Sequence, residues 1–273
     1  MSLTTIALLP HSPLLIPEIG RANYNFLAKT TAAYEQIIIE LKTKEVDTVI
    51  IVSPHGPTQT ASFTLSVAPE MEINFQDFGF IPPKTILNGD ALLADQIQAA
   101  LRPDFPLQLI SESIIDSGSA VPLYLLKNSL PNFKILLISP ATDLSLAEQI
   151  KFGERLQAVI FKSDKNIAVI ASGDLSHRLK KKSPGGYSPK GAKFDNKLIE
   201  YLSEPLTAVE NIIKIDQNLI KAANECGLKP LTIILGMLNN LTWQSQVLAY
   251  QTDFGIGYLS MNFNFTLPTK TTS

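Results

Sequence analysis

The chain has few of the residues that build several common kinds of site. Its 273 residues include a single cysteine, Cys226, so neither an intramolecular disulfide nor a cysteine-rich zinc module can form. No apolar run approaches the roughly 20 residues that span a bilayer. The net charge of −2 provides no basic surface for nucleic acid or an anionic membrane. The N-terminus also lacks signal-peptide features, so we expect a cytoplasmic globular protein with no nucleic-acid or membrane partner.

Histidine is equally scarce, and its three copies share one kind of position. His11, His55 and His177 each close an apolar, strand-like run: TIALLPH, VDTVIIVSPH and NIAVIASGDLSH. Loops that leave the carboxyl ends of parallel strands converge on one edge of a sheet. Imidazole is a common metal ligand, and its proton moves near neutral pH. We therefore predict that the three histidines meet in one site, instead of capping their strands separately.

The pattern of the chain indicates an α/β fold. Runs rich in Ile, Val and Leu alternate with segments of helical periodicity, which predicts a central, mainly parallel or mixed sheet flanked by helices. No repeat or linker divides the chain, so we expect one domain over 1–265 and a flexible tail over 266–273. The predicted strands are 5–9, 48–52, 62–67, 107–111, 134–139, 166–171, 246–251 and 255–261. The predicted helices are 23–42, 90–101, 121–130, 145–161, 194–202, 206–213, 216–224 and 230–239.

Two predicted loops stand out by composition. The first, 70–84, is aromatic, and we expect it to pack onto its own domain instead of covering a pocket. The second, 178–191, follows His177 and contains three consecutive lysines, which we expect to be solvated.

A carboxylate would complete a metal site with two of the histidines. Two histidines and one carboxylate on one face of a metal are typical of non-haem Fe(II) oxygenases. Glu225 is the candidate, because Gly227 suits the end of one helix and Pro230 the first turn of the next. Its alternative is an exposed surface glutamate. Asp174, three residues before His177, either orients the turn that presents the imidazole or simply caps that turn.

Four segments in order along the chain carry a resemblance to a known family. The segments are PHSPLLIP (10–17), SPHGP (53–57), ASGDLSHRL (171–179) and ECGL (225–228). GYSPKG (186–191), FD (194–195) and FGIGY (254–258) extend the similarity over nearly the whole chain. The chain resembles the B-type catalytic subunits of the class III extradiol ring-cleavage dioxygenases. Their superfamily also contains the Memo-like proteins, among them AmmeMemoRadiSam system protein B.

The resemblance implies a site and a reaction. His11 and His55 would be iron ligands, Glu225 the carboxylate ligand and His177 the catalytic acid/base residue. The cofactor would be Fe(II), with another divalent metal as the alternative, and the partners a small aromatic diol and O2. The reaction would be extradiol, or meta, cleavage of a catechol, as in the catabolism of aromatic compounds. A homodimer is expected on base rates alone.

The chain departs from the family pattern at two places. Ser117 in DSGSAVPL (116–123) stands where the dioxygenases usually have histidine, and serine cannot carry a positive charge. Memo-like proteins use a cysteine before the glycine of ECGL as a metal ligand, and Cys226 holds that place. On a helix, neighbouring residues are turned by about 100°, so only one of the pair would face the metal. We predict Glu225, while a cysteine ligand would favour copper, zinc or another role.

Two other functions remain open. Ser117 and Cys226 favour a Memo-like metal-binding protein that acts through protein partners without cleaving rings. A metal-assisted hydrolase, in which His177 activates a metal-bound water, is the third hypothesis.

Overall fold

A computed structural model describes residues 3–130 and 132–267. Residues 268–273 of the predicted tail lie outside the described residues, and Thr266 is the last residue of the final strand. Within the described part, no helix combines the length and the apolar character needed to cross a membrane.

The strands of the described chain form an eight-stranded and a three-stranded sheet. They are β1 (Leu3–Leu9), β2 (Thr48–Val52), β3 (Phe63–Ser66), β4 (Glu70–Ile73), β5 (Ile86–Asn88), β6 (Leu107–Ile110), β7 (Ile114–Ile115), β8 (Lys134–Ser139), β9 (Ile167–Ser172), β10 (Thr242–Gln251) and β11 (Tyr258–Thr266). The large sheet has the order β10-β11-β1-β9-β2-β8-β3-β6 and the small one β5-β4-β7. Strands β1, β9, β2 and β8 are parallel, whereas β11 joins β1, and β3 joins β8, in antiparallel fashion.

Helices cover the large sheet. They are α1 (Pro17–Gly20), α2 (Ala28–Thr43), α3 (Ala91–Leu101), α4 (Ser117–Leu126), α5 (Leu146–Ile160), α6 (Pro189–Leu202), α7 (Pro205–Ile213), α8 (Gln217–Ala223) and α9 (Leu228–Met237). Successive residues of β1 alternate between two apolar cores, with Ile6 and Leu8 in one and Ala7 and Leu9 in the other. Central parallel strands are buried on both faces in this way. The predicted single α/β domain with a mixed, helix-flanked sheet is confirmed.

Three neighbouring parallel strands end together at one edge of the sheet. Leu9 of β1 pairs with Ser172 of β9, and Val52 of β2 pairs with Ala171 of the same strand. The loops that follow these strands therefore begin side by side at the same edge of the sheet. This register brings the segments of His11, His55 and Asp174 to the same edge, as the sequence predicts.

Helix α4 begins four residues earlier than predicted. The sequence predicted a helix over 121–130, whereas the helix starts at Ser117. Asp116 is the reason, because its side chain accepts a hydrogen bond from the backbone N–H of Ser119 at 3.0 Å and so caps the first turn. Pro122 lies inside this helix.

The aromatic segment over 70–84 contains a short strand, β4, instead of being all loop. Phe75 is buried, and its ring packs against the rings of Phe80 and Tyr124. The prediction that this segment packs onto its own domain is confirmed. The lysines 180–182 are all exposed, as expected.

Two glycines let α5 and α9 cross with their backbones in contact. A β-carbon at Gly236 would lie 2.0 Å from the carbonyl oxygen of Ile150, and one at Gly153 would lie 1.9 Å from that of Ile233. Such distances are impossible without moving a helix. The crossing fixes the position of α9, and the turn that contains Cys226 leads directly into α9.

We predict that Gly236→Ala destabilises the protein. The added methyl group must push the two helices apart, at a cost of about 1–3 kcal/mol that exceeds the gain of about 1 kcal/mol in helix propensity. Urea unfolding measures the change, and Gly153→Ala should act in the same direction. Unfolding free energies equal to or above that of the unmodified chain for both variants would contradict the crossing.

Candidate metal centre

His11 is held in one tautomer by its neighbours. Its Nδ1 lies 3.0 Å from Oγ of Ser172, and that hydroxyl lies 2.5 Å from the backbone carbonyl oxygen of Gly118. A serine hydroxyl has one proton, and the contact with the carbonyl uses it. Ser172 must therefore accept a hydrogen bond from Nδ1–H of His11. The lone pair of His11 is consequently on Nε2, the atom that points away from Ser172.

The imidazole of His55 lies next to Nε2 of His11. Its Nε2 lies 3.1 Å from Nε2 of His11, and the two rings are nearly perpendicular at 75°. Gly118 makes room for this ring, because a β-carbon there would lie 3.2 Å from Cδ2 of His55 and 2.5 Å from Oγ of Ser53. His55 is exposed, so the site opens to solvent. His11, by contrast, is buried.

Cys226 completes the group. Its Sγ lies 3.6 Å from Nε2 of His11, and the ligand atoms of His11, His55 and Cys226 all lie within 4.8 Å of one another. The backbone carbonyl of Asp174 accepts hydrogen bonds from the N–H groups of Cys226 at 3.2 Å and Gly227 at 3.0 Å. The end of β9 thereby holds the turn that presents the thiol.

Glu225 is not part of this group. Its Oε2 accepts a hydrogen bond of 2.6 Å from the backbone N–H of Leu228, the first residue of α9. Asn224 has a positive φ of 52° and ends α8, so Glu225 and Cys226 lie in a turn between two helices instead of on one. Burial raises the pKa of Glu225 to about 7. The assignment of Glu225 as a ligand stays a prediction.

His177 and Asp174 lie beside the group. Oδ2 of Asp174 is 4.0 Å from Nε2 of His11, and its Oδ1 accepts a hydrogen bond from the backbone N–H of His11. Burial raises the pKa of Asp174 to about 6, while the charge of the nearby His177 opposes the shift. Nδ1 of His177 is buried and has no hydrogen-bond partner among the described residues. The acid/base role of His177 stays a prediction.

A buried carboxylate holds the backbone next to His177. Asp195 accepts hydrogen bonds from the backbone N–H of Ser176 at 2.9 Å and from the hydroxyl of Tyr250 at 2.8 Å. Gly257 makes room for it, since a β-carbon there would lie 2.1 Å from Oδ2 of Asp195. The sequence resemblance includes Asp195 in the FD segment and Gly257 in the FGIGY segment but assigns them no role. Their structural role is to support the loop after β9, which carries His177.

The donors suit a soft or borderline metal ion. Burial and the neighbouring His55 lower the pKa of His11 to about 3, so its imidazole is neutral and can donate a lone pair. Burial and Asp174 raise the pKa of the Cys226 thiol, so a cation must displace its proton. Sulfur and imidazole donors fit zinc, copper or iron better than magnesium or calcium. The residues present therefore fit a transition metal.

A cavity of about 290 Å³ lies next to the group. Three loops at the same edge of the sheet form its walls, namely those after β2 and β8 and the turn before α9. Its lining residues are Pro54, His55, Thr58, Pro140, Thr142, Glu225, Cys226 and Lys229. Two of the three candidate ligands thus face a space that a small molecule can enter.

The chain matches the family described as the catalytic LigB subunit of aromatic ring-opening dioxygenase over residues 5–261. It belongs to this family. Protein CA_C1420 of Clostridium acetobutylicum is 33% identical over 268 residues, which cover 94% of this chain and 57% of that protein. The chain thus spans little more than half the length of this relative. The solved structure of uncharacterized protein JW3007 from Escherichia coli K12 is similar in fold, with a TM-score of 0.67 and 17% identity over 95% of this chain and 99% of that one.

These findings bear on the function at a coarse level. Membership of the family means a fold of the ring-opening dioxygenase type and a metal-dependent protein. The predicted resemblance to the catalytic subunits of extradiol dioxygenases is confirmed. His11, His55 and Cys226 form a group that could hold a metal ion.

We predict that Ser172→Ala weakens metal binding by about 10- to 100-fold, because His11 loses the partner that fixes its tautomer. The lost bond to Gly118 should also lower stability by about 1–3 kcal/mol. A competition titration with a chelating dye measures the affinity. Ser203→Ala is the control, since that hydroxyl bonds only within its own helix. Equal metal affinity of the Ser172 variant and this control would contradict the argument.

Proposed function

We propose that this chain binds a transition-metal ion through His11, His55 and Cys226 and acts as a Memo-like metal protein, not as a catechol dioxygenase. The observation that carries the proposal is the position of the thiol. Sγ of Cys226 lies 3.6 Å from Nε2 of His11, whereas the carboxylate of Glu225 is bonded to the first amide of α9. The proposal replaces the predicted third ligand, Glu225, by its neighbour.

The chemistry of the donors limits the metal. A thiolate and two neutral imidazoles are a set that zinc, copper and iron accept, and the exposure of His55 leaves room for further ligands. Such an ion would supply a Lewis acid or a redox centre at the surface. The hydrogen bonds of Ser172 to His11 and of Asp174 to the Cys226 turn would fix the position of this ion.

The cavity beside Cys226 has few aromatic side chains in its wall. Apart from the imidazole of His55, its lining has no aromatic ring, and its apolar members are the two prolines Pro54 and Pro140. Pockets for aromatic ligands are usually lined by hydrophobic and aromatic side chains. Ser117, which stands in place of the family histidine, is the first residue of α4. The next residue, Gly118, is the one against which His55 packs. Both features favour a function other than catechol cleavage.

We predict that Cys226→Ser removes the metal centre and that Glu225→Gln does not. Cobalt(II) is the probe, because a thiolate ligand gives an intense sulfur-to-cobalt charge-transfer band. We expect the band in the unmodified chain and in the Glu225 variant, and we expect its loss in the Cys226 variant, with affinity lower by about 100-fold or more. If the Cys226 variant kept the charge-transfer band, or if only the Glu225 variant lost the metal, the proposed ligand set would be wrong.

Extradiol ring cleavage is the second candidate. Membership of the family favours it, and so does Nδ1 of His177, which has no hydrogen-bond partner in the described part of the chain. A thiolate carries the same charge as the carboxylate it replaces, so an Fe(II) centre would keep its net charge. His177 would then take the proton of a catechol hydroxyl.

Oxygen consumption separates the two candidates. The protein is loaded with Fe(II) without air and then mixed with O2 and a panel of catechols. We expect no oxygen uptake and no yellow ring-opened product with iron bound at one ion per chain. If a catechol is cleaved, and His177→Gln slows the reaction by about 10²- to 10⁴-fold, ring cleavage is the function and our first proposal is wrong.

A further inference from the structure

The cavity beside Cys226 contains one lysine, Lys229, among its lining residues. We propose that this cavity binds a small oxyanion, a carboxylate or phosphate group, between the ammonium group of Lys229 and the metal. The inference rests on the proposed metal centre, because His55 and Cys226, two of the residues that would hold the ion, line the same cavity.

The walls of the cavity are tied together by backbone hydrogen bonds. The N–H of Thr142 donates to the carbonyl of Gln59 at 3.0 Å, and the N–H of Asp143 donates to that of Thr60 at 2.8 Å. These bonds join the loop after β8 to the loop after β2. The cavity is therefore a built feature of the sheet edge and not a gap between independent loops.

Lys229 is placed to bind an anion. It is the second residue of α9 and half-buried, and its Nζ donates to the backbone carbonyl of Thr142. An ammonium group has three donors, so two remain. In the described part of the chain, no carboxylate oxygen lies within 4.0 Å of this Nζ. A half-buried cation with free donors beside a cavity favours an anionic partner.

The remaining charges permit an anion. A divalent ion bound by one thiolate and two neutral imidazoles keeps a positive charge, and Lys229 adds another. Two carboxylates, those of Glu225 and Asp143, add negative charge that acts on Lys229, and the carboxylate of Glu225 accepts the N–H of Leu228. Thr58 and Thr142 line the same space, and hydroxyl groups can donate to an oxyanion.

The volume limits the size of the occupant. Pockets for drug-sized ligands measure about 300–1,000 Å³, so a cavity of about 290 Å³ lies at the lower end. A short carboxylic acid or inorganic phosphate fits this space. Lys229 and the hydroxyl groups of Thr58 and Thr142 provide the polar contacts for such a molecule.

Anion titrations of the cobalt-loaded protein test the proposal. Acetate, malonate and inorganic phosphate are the probes, ethanol is the neutral control, and the visible ligand-field bands of cobalt are the readout. We expect saturable spectral changes with at least one anion and none with ethanol. Malonate and phosphate distinguish a carboxylate site from a phosphate site.

Variants of Lys229 assign the effect to this residue. We expect Lys229→Met to weaken anion binding by about 10-fold or more, and Lys229→Arg, which keeps the charge, to restore most of it. Lys221→Met is the matched control, because that lysine is exposed on α8, and it should leave binding unchanged. Circular dichroism checks that each variant is folded.

Two failures can be told apart. If the charge-transfer band is present but no anion changes the spectrum, or if Lys229→Met binds anions as well as the unmodified chain, the anion site is wrong and the metal centre stands. If the unmodified chain shows no charge-transfer band, the metal centre itself is wrong and the anion site falls with it.

Discussion

A backbone contact between two glycines connects the parts of the site. A β-carbon at Gly173, which follows β9, would lie 2.2 Å from Cα of Gly227, so only glycine permits this approach. The contact brings the carbonyl of Asp174 within reach of the N–H groups of Cys226 and Gly227. Without it, the only cysteine of the chain would lie away from histidines that come from the other end of the sequence.

The rest of the structure supports that contact from two sides. The crossing of α5 and α9 at Gly153 and Gly236 fixes the helix that follows the Cys226 turn. On the other side, Ser172 links β9 to His11 and to the carbonyl of Gly118 in α4. His11 and Cys226 are thus positioned by hydrogen bonds to β9 and the loop after it, although the site itself opens to solvent. Rigid support under an open site is typical of metal centres that meet a ligand or a partner.

Much of this arrangement could be predicted from the sequence. The apolar runs before His11 and His55 identified buried parallel strands, and the common edge followed from the fold class. The choice between Glu225 and Cys226 could not be settled in that way, because it assumed that both residues lie on a helix. Asn224 ends α8 in a left-handed conformation, and the two side chains then leave a turn in different directions. Only the backbone shows this.

Residues that act through contacts distant in sequence were also missed. Asp195 supports the backbone before His177 through Ser176, and neither its burial nor its partner Tyr250 has a local signal. Lys229 adjoins the ECGL segment, but its place in the cavity depends on the loop after β8. The start of α4, by contrast, has a local signal in Asp116, which is a favoured capping residue.

X-ray absorption at the metal edge of the loaded protein tests the central claim most directly. We expect one sulfur scatterer at about 2.3 Å, the zinc–thiolate distance, together with the multiple-scattering pattern of two imidazoles. A first shell of nitrogen and oxygen alone would contradict it, and would return Glu225 to the place of the third ligand.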